Sequence, residues 1–189
     1  MQALKNHITR EEYLEIDNAS TEKHEFYQGD IFAMSGGSFN HSAISTNITT
    51  TLQNLLDKTP CRPMNSDMRI TTPSGLDTYP DISVFCGDPE LTDNDCTLLN
   101  PALLIEVLSP STKNYDRGDK FLHYRSIPSL QDYLLIDSES IHIEHYQRQN
   151  SNEWLLHEYR EPDALIHLKS VDKTMAVENI YQQVRHQSS

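Results

Sequence analysis

A mixed α/β (α+β) fold, with one sheet partly covered by helices, is predicted by three features of this chain. The run Leu103-Leu104-Ile105-Glu106-Val107-Leu108-Ser109 is nearly all aliphatic and is bounded by Asn100-Pro101 and Pro110, as expected of a strand buried on both faces. Segments of helical period lie before and after it, and from Gln131 onward short strand-like segments follow one another through polar turns. The length of 189 residues suits one domain with a proper core and is short for two, so a single domain over residues 1–189 is expected.

Taken in order, Thr9-Arg10-Glu11-Glu12 has the form of a capping box and predicts a first helix. His24-Glu25-Phe26-Tyr27 and Ile31-Phe32-Ala33-Met34 flank Gln28-Gly29-Asp30, a hairpin whose glycine can take positive φ. After the loop Ser35-Gly36-Gly37-Ser38, either Ser38 or Asn40 can cap a helix with Ile44, Ile48, Leu52, Leu55 and Leu56 on one face. Strands are expected over residues 62–66, 68–71 and 81–86, the last with Ile82, Val84 and Cys86 alternating against Asp81, Ser83 and Phe85. The acidic segment 87–96 reads as a loop. Beyond Ser111-Thr112 a helix carries Lys120 and Tyr124 one turn apart and stops at Ile127-Pro128. Segments 131–136, 141–146, 154–159 and 164–168 read as antiparallel strands, residues 174–184 as a closing helix, and 186–189 as a frayed tail.

Hydrophobic residues at 37% and charged residues at 23% are the proportions of an ordinary globular protein. Residues 1–10 lack an apolar core flanked by basic residues, and no run is long enough to span a bilayer, so a cytoplasmic setting is expected. Cys61, Cys86 and Cys96 are odd in number and widely spaced, which favours buried or incidental thiols over disulfides or a zinc site. The net charge of −13 argues against a broad electropositive surface for nucleic acid. Asp77, Asp81, Asp88, Glu90, Asp93 and Asp95 occur with no Lys or Arg among them, and a bound divalent metal would lower their repulsion.

The chemistry centres on Glu106, because a carboxylate in an aliphatic strand needs a cation, a metal or several donors. If the strands of Asp81 and Glu106 are neighbours, their oxygens can share a site suited to Mg²⁺ or Mn²⁺. Lys120 can reach back over the strand end to supply positive charge, and Glu25 can add a ligand or orient water. Structural readings stand beside these. Glu106 can form an ion pair with Lys120 or Arg125, Asp81 can bond turn amides, Glu25 can pair with Lys23 or His24, and His41 can cap or pack. His142 and His145, three apart on a strand, face opposite ways and should not share an ion. Ser109 lacks the base and oxyanion hole that a serine nucleophile needs, and the Ser35–Ser38 loop lacks the lysine of a phosphate-binding loop.

Several blocks occur together in one order: Glu25 before Phe26-Tyr27-Gln28-Gly29, His41 at a helix start, Tyr79-Pro80-Asp81-Ile82, Ile105-Glu106-Val107-Leu108-Ser109-Pro110-Ser111-Thr112, Asp116 to Lys120 with Tyr124, and Ile127-Pro128 to Asp137. From about Thr9 to about Tyr146 this pattern resembles the Uma-two family of restriction endonuclease-like proteins, within the PD-(D/E)XK nuclease superfamily. The resemblance implies a restriction endonuclease-like mixed β-sheet flanked by helices, here with additional antiparallel C-terminal strands. It implies Asp81 and Glu106 as metal ligands, the Val107 carbonyl as a third contact, Lys120 as catalytic lysine and Glu25 as an assisting acid. His41 and Tyr124 would be accessory. The superfamily's usual lysine position, two residues after the glutamate, holds Leu108, so the lysine would come from the helix. The implied activity is Mg²⁺- or Mn²⁺-dependent endonucleolytic hydrolysis of DNA phosphodiester bonds by a homodimer. Two alternatives are a catalytically silent nuclease-like binding or assembly module, and a hydrolase of a smaller phosphodiester.

Overall fold

The computed structural model describes residues 7–34 and 36–185, so Ser35 of the glycine loop and the tail expected to fray at 186–189 lie outside the described residues. Helix α1 (Arg10–Ala19) starts where its own side chains dictate: Thr9 N–H donates to Glu12 Oε2 at 2.8 Å and Glu12 N–H to Thr9 Oγ1 at 3.2 Å. Strands β1 (His24–Tyr27) and β2 (Asp30–Ala33) form the hairpin, with Gln28 and Gly29 at φ 48° and 91°. Two successive positive φ values match the right-handed twist of the strands. Helix α2 (Phe39–Leu55) is capped by Ser38, whose Oγ accepts from His41 N–H at 3.2 Å, and it buries Ile44, Ile48 and Leu52.

Then follow β3 (Cys61–Asn65), β4 (Arg69–Thr71), β5 (Asp77–Thr78), β6 (Ile82–Cys86), β7 (Leu91–Thr92), β8 (Thr97–Leu98) and β9 (Leu103–Leu108). A connection of α3 (Lys113–Tyr115), a π-helical turn (Asp116–Lys120) and α4 (Phe121–Tyr124) leads to β10 (Asp132–Asp137). The chain ends with β11 (Ile143–Arg148), β12 (Trp154–Tyr159), β13 (Leu165–Leu168), β14 (Lys173–Ala176) and α5 (Val177–Ile180).

The main sheet runs β12-β11-β10-β9-β6-β3 and is parallel only between β9 and β10, the pair whose crossover carries the helices. All six residues of β9 are buried, and their alternation decides what each one meets. Leu103, Ile105 and Val107 join Ile82, Val84, Leu134 and the apolar face of α2 in one core. Leu104 and Leu108 join Leu135, Tyr133, Phe121 and Tyr124 in another. Glu106 shares the parity of Leu104 and Leu108, so it faces the helix that carries Lys120 and Tyr124. A second sheet of shorter strands runs β2-β1-β5-β4-β8-β7.

Four expectations are corrected. Residues 174–184 do not form one helix: β14 pairs with β13, placing Met175 beside Ile166 in the core, and only the single turn of α5 follows. Consequently β13 pairs with β14 and leaves the edge of β12 uncovered. The acidic segment contains β7, and its charges are met by distant arginines. Asp93 lies 2.7 Å from Arg10 and 3.8 Å from Arg69, and Arg10 also lies 2.8 Å from Asp77. Finally, the β3–β6 register sets Cys61 opposite Cys86, and the two form a disulfide where free thiols were expected. No helix among the described residues is long and apolar enough to cross a membrane.

The packing makes a contrast that can be measured. Leu134 is fully buried and Leu156 on β12 is 46% exposed. In urea denaturation, Leu134→Ala should lose about 2–5 kcal/mol of stability, and Leu156→Ala should stay within about 0.5 kcal/mol of wild type.

Candidate active site

The antiparallel register Ile82↔Ile105 continues, one step further, to Asp81 against Glu106. Asp81 lies just ahead of β6, where its Oδ2 accepts from Val107 N–H at 2.7 Å and its Oδ1 lies 3.2 Å from His41 Nε2. It therefore does bond an amide, but one on the neighbouring strand and not one in its own turn. Gly37 allows the loop before α2 to close on His41, because a Cβ there would lie 2.6 Å from the ring's Nδ1.

On the other side of β9 the π-helical turn keeps Asp116 and Lys120 facing the strand, and such turns recur at functional sites. Lys120 Nζ lies 2.9 Å from Glu106 Oε1, 3.0 Å from Glu25 Oε1 and 3.7 Å from Asp116 Oδ1. Tyr124 OH donates to Glu106 Oε1 at 2.7 Å. Glu25 arrives from β1 of the second sheet; its Oε1 accepts from Thr78 Oγ1 at 2.5 Å, while its Oε2 is buried without a hydrogen-bond partner. The local pairs expected for Glu25 do not form, since Lys23 binds Ser66 and Asp67 and His24 binds Asp17; of the two partners expected for Glu106, Lys120 pairs with it and Arg125 lies over the Phe121 ring. Glu25, His41, Asp81, Glu106, Val107 and Lys120 thus line one cavity of about 370 Å³, and Tyr124 backs it from the core.

Asp116 and Tyr115 also line this cavity, beyond the residues predicted to form the site. The spacing of Asp116, four residues before Lys120 on a helix, was the signal that could have found it. His142 and His145 take separate partners, Glu158 at 2.8 Å and Asp132 at 2.7 Å, as strand alternation requires. Ser109 is occupied with the hydroxyls of Ser111 and Thr112 at 3.0 Å.

Residues 10–177 match the sequence profile of the Uma2 family, described as "Putative restriction endonuclease". The chain belongs to this family. Two Synechocystis relatives, both described as uncharacterized proteins, are similar along most of their length. One, slr1290, is 43% identical over 175 residues, covering 92% of this chain and 91% of that one. The other, sll1609, is 40% identical over 153 residues, covering 80% and 86%. A crystal structure of a "putative nuclease" of the group DUF820 from Anabaena variabilis superposes with a TM-score of 0.78 at 23% identity, covering 94% of this chain and 99% of that one. The restriction endonuclease-like mixed sheet flanked by helices is therefore the fold of this Uma2 chain.

Electrostatics set the charge states in the Uma2 site. Burial, opposed by Lys120 and reinforced by Asp116 and Asp81, pushes the Glu106 carboxyl up to about 8. Burial also raises the Asp116 carboxyl. For Lys120, burial works against the charged form, but Glu106 and Glu25 outweigh it and hold the ammonium well above its ordinary pKa. His41 follows the same logic: burial lowers it, and Asp81 more than restores it, leaving the ring raised. Burial keeps the phenols of Tyr115 and Tyr124 protonated, so Tyr124 remains a donor to Glu106.

Among the described residues no three His, Cys, Asp or Glu side chains are arranged to hold a metal ion. The donor set nevertheless suits a hard cation: two carboxylates at one strand junction, a buried carboxylate oxygen on Glu25 with no donor, and acids outnumbering the one buried ammonium. An added positive charge would offset that excess.

The site predicts two outcomes. Because the folded Glu106 pKa is raised above its unfolded value, its contribution to stability is fully present below about pH 4.5 and is lost as pH rises through about 8. In metal-free buffer, thermal or urea unfolding of wild type should lose ground to Glu106→Gln across that window; parallel curves would refute the shift. Lys120→Met should cost about 3–5 kcal/mol by stranding buried carboxylates, with part of the loss recovered in Lys120→Met combined with Glu106→Gln.

Proposed function

We propose that this Uma2 chain is a nuclease that hydrolyses DNA phosphodiester bonds with a divalent metal at the Asp81–Glu106–Lys120 site. The observation that carries the reading is the buried Lys120 ammonium, within 3.0 Å of carboxylates from both sheets and beside the Asp81–Glu106 junction. A structural ion pair needs one carboxylate, whereas this lysine has three and opens into a cavity.

Asp81, Glu106 and the Val107 carbonyl would hold Mg²⁺ or Mn²⁺, which supplies Lewis acidity and a water of lowered pKa when bound. Lys120 places a fixed positive charge where negative charge develops on the phosphorus oxygens, and it costs no reorganisation there because two carboxylates already hold it. Glu25 Oε2 is free to accept a hydrogen bond from an attacking water. Tyr124 fixes one oxygen of Glu106, which keeps its other oxygen for a ligand, while the Val107 amide fixes Oδ2 of Asp81 and leaves Oδ1, shared with the His41 ring, toward the metal. His41 steadies Asp81 from the other side. Lys120 stands in for the lysine that the superfamily usually carries at the position of Leu108, which here is 2% exposed in the core against α4. DNA as substrate follows from the family's description, and a homodimer would place two such sites on a duplex.

The test is cleavage of supercoiled and linear DNA with Mg²⁺, Mn²⁺ or EDTA by wild type, Asp81→Ala, Glu106→Ala and Lys120→Ala, each checked for folding. Metal-dependent nicking should fall by about 100-fold or more in every variant. Wild type that is inert and binds no Mn²⁺ would replace this reading with the nuclease-like binding or assembly module. Turnover of small phosphodiesters without DNA cleavage would shift the substrate class.

A further inference from the structure

On the face of the main sheet opposite Glu106 lies a polar cluster that the proposed chemistry does not use. His145, in the middle of β11, is fully buried. Its Nε2 lies 2.7 Å from Asp132 Oδ1, and Asp132 Oδ2 accepts from Ser170 N–H at 2.6 Å, so the backbone fixes the carboxylate that fixes the ring. In the neutral ring, with Asp132 accepting, Nε2 carries the proton and Nδ1 keeps its lone pair. That Nδ1 is buried and has no hydrogen-bond partner. A buried polar atom left unpaired is costly, and a neutral imidazole nitrogen backed by a carboxylate is a ready metal ligand.

The β11–β12 register sets His157 directly opposite His145, and directly opposed residues share a face. The two ring centroids are 6.0 Å apart, a span that the two rings and two metal–nitrogen bonds of about 2.0 Å can bridge. Tyr159 stands on the same face, 6.4 Å from one ring and 6.5 Å from the other. Since β12 is an edge strand and His157 is exposed, a cation can reach His157 from solvent, and a turn of that ring would carry it to the buried His145 Nδ1.

We propose that His145 and His157 form a second metal site, for a transition-metal cation of the zinc or copper(II) class, with Asp132 as the outer carboxylate that sets the His145 tautomer. Nitrogen donors separate it in kind from the oxygen-lined cavity around Glu106. The Asp132–His145 pair reproduces the carboxylate–histidine–metal arrangement that orients a ligand and raises its basicity. Two imidazoles leave positions for water or another ligand, so the site is open and exchangeable and does not hold the fold together. It is independent of the nuclease reading.

The experiment is a Zn²⁺ titration of the full chain followed through the ring nitrogen signals of its histidines by NMR. One equivalent should shift His145 Nδ1 and His157 together, saturably, with His142 unmoved. His157→Ala, at an exposed edge where folding is safe, should weaken binding at His145 by about tenfold or more, and Asp132→Asn should weaken it by about 10–100-fold. His142→Ala should bind like wild type. Unshifted His145 and His157 signals, or undiminished binding in His157→Ala, would overturn the site.

Discussion

Lys120 Nζ lies 2.9 Å from Glu106 and 3.0 Å from Glu25, and removing three charged groups from water at one point costs several kcal/mol per ion unless each is partnered. That requirement ties together parts of the chain far apart in sequence. Glu25 comes from the hairpin of the second sheet, Glu106 from the middle of the main sheet, and Lys120 from the crossover helix. Hydrophobic burial alone would accept an apolar residue at each position. An arrangement that is costly unless every group is partnered is the kind of local inconsistency that marks function.

The crossover helix explains how these groups meet. Between parallel strands the chain must return along the sheet face, and here it does so with a π-helical turn that presents Asp116 and Lys120 to β9. Tyr124, four residues on, completes the contact with Glu106, while Phe121 packs against Tyr133 in the apolar layer beside it. One helix therefore serves both the core and the cavity.

The opposite face of the same sheet shows a different balance. There α2 and the β13–β14 hairpin bury an aliphatic core, and the polar Asp132–His145 pair sits at its margin near the open edge of β12. The two faces differ in their donors: oxygen around Glu106, nitrogen at the β11–β12 pair. Alternation along the strands keeps these chemistries apart in one continuous sheet.

Much of this was legible in the chain itself because the signals are local. The capping box at Thr9, the Gln28-Gly29 turn, the apolar face of α2 and the aliphatic run around Glu106 each fix their conformation within a few residues. The parity of Glu106 within its strand, and the spacing of Lys120 and Tyr124, also depend on short-range periodicity. What the sequence did not reveal depends on pairing across distance. Residues 174–184 have helical spacing, yet Met175 is buried by pairing with Ile166, a partner no window around it contains. Cys61 and Cys86 meet only because β3 and β6 align, Asp77 and Asp93 are answered by arginines from α1 and β4, and Glu25 reaches Lys120 only because two sheets meet. The sequence by itself determined the segments whose signals are local, among them α1, the β1–β2 hairpin, α2 and β9 with its buried Glu106; strand register and sheet packing decided β14, the disulfide and which charge Glu106 would face, because those contacts join residues with no local relation to one another.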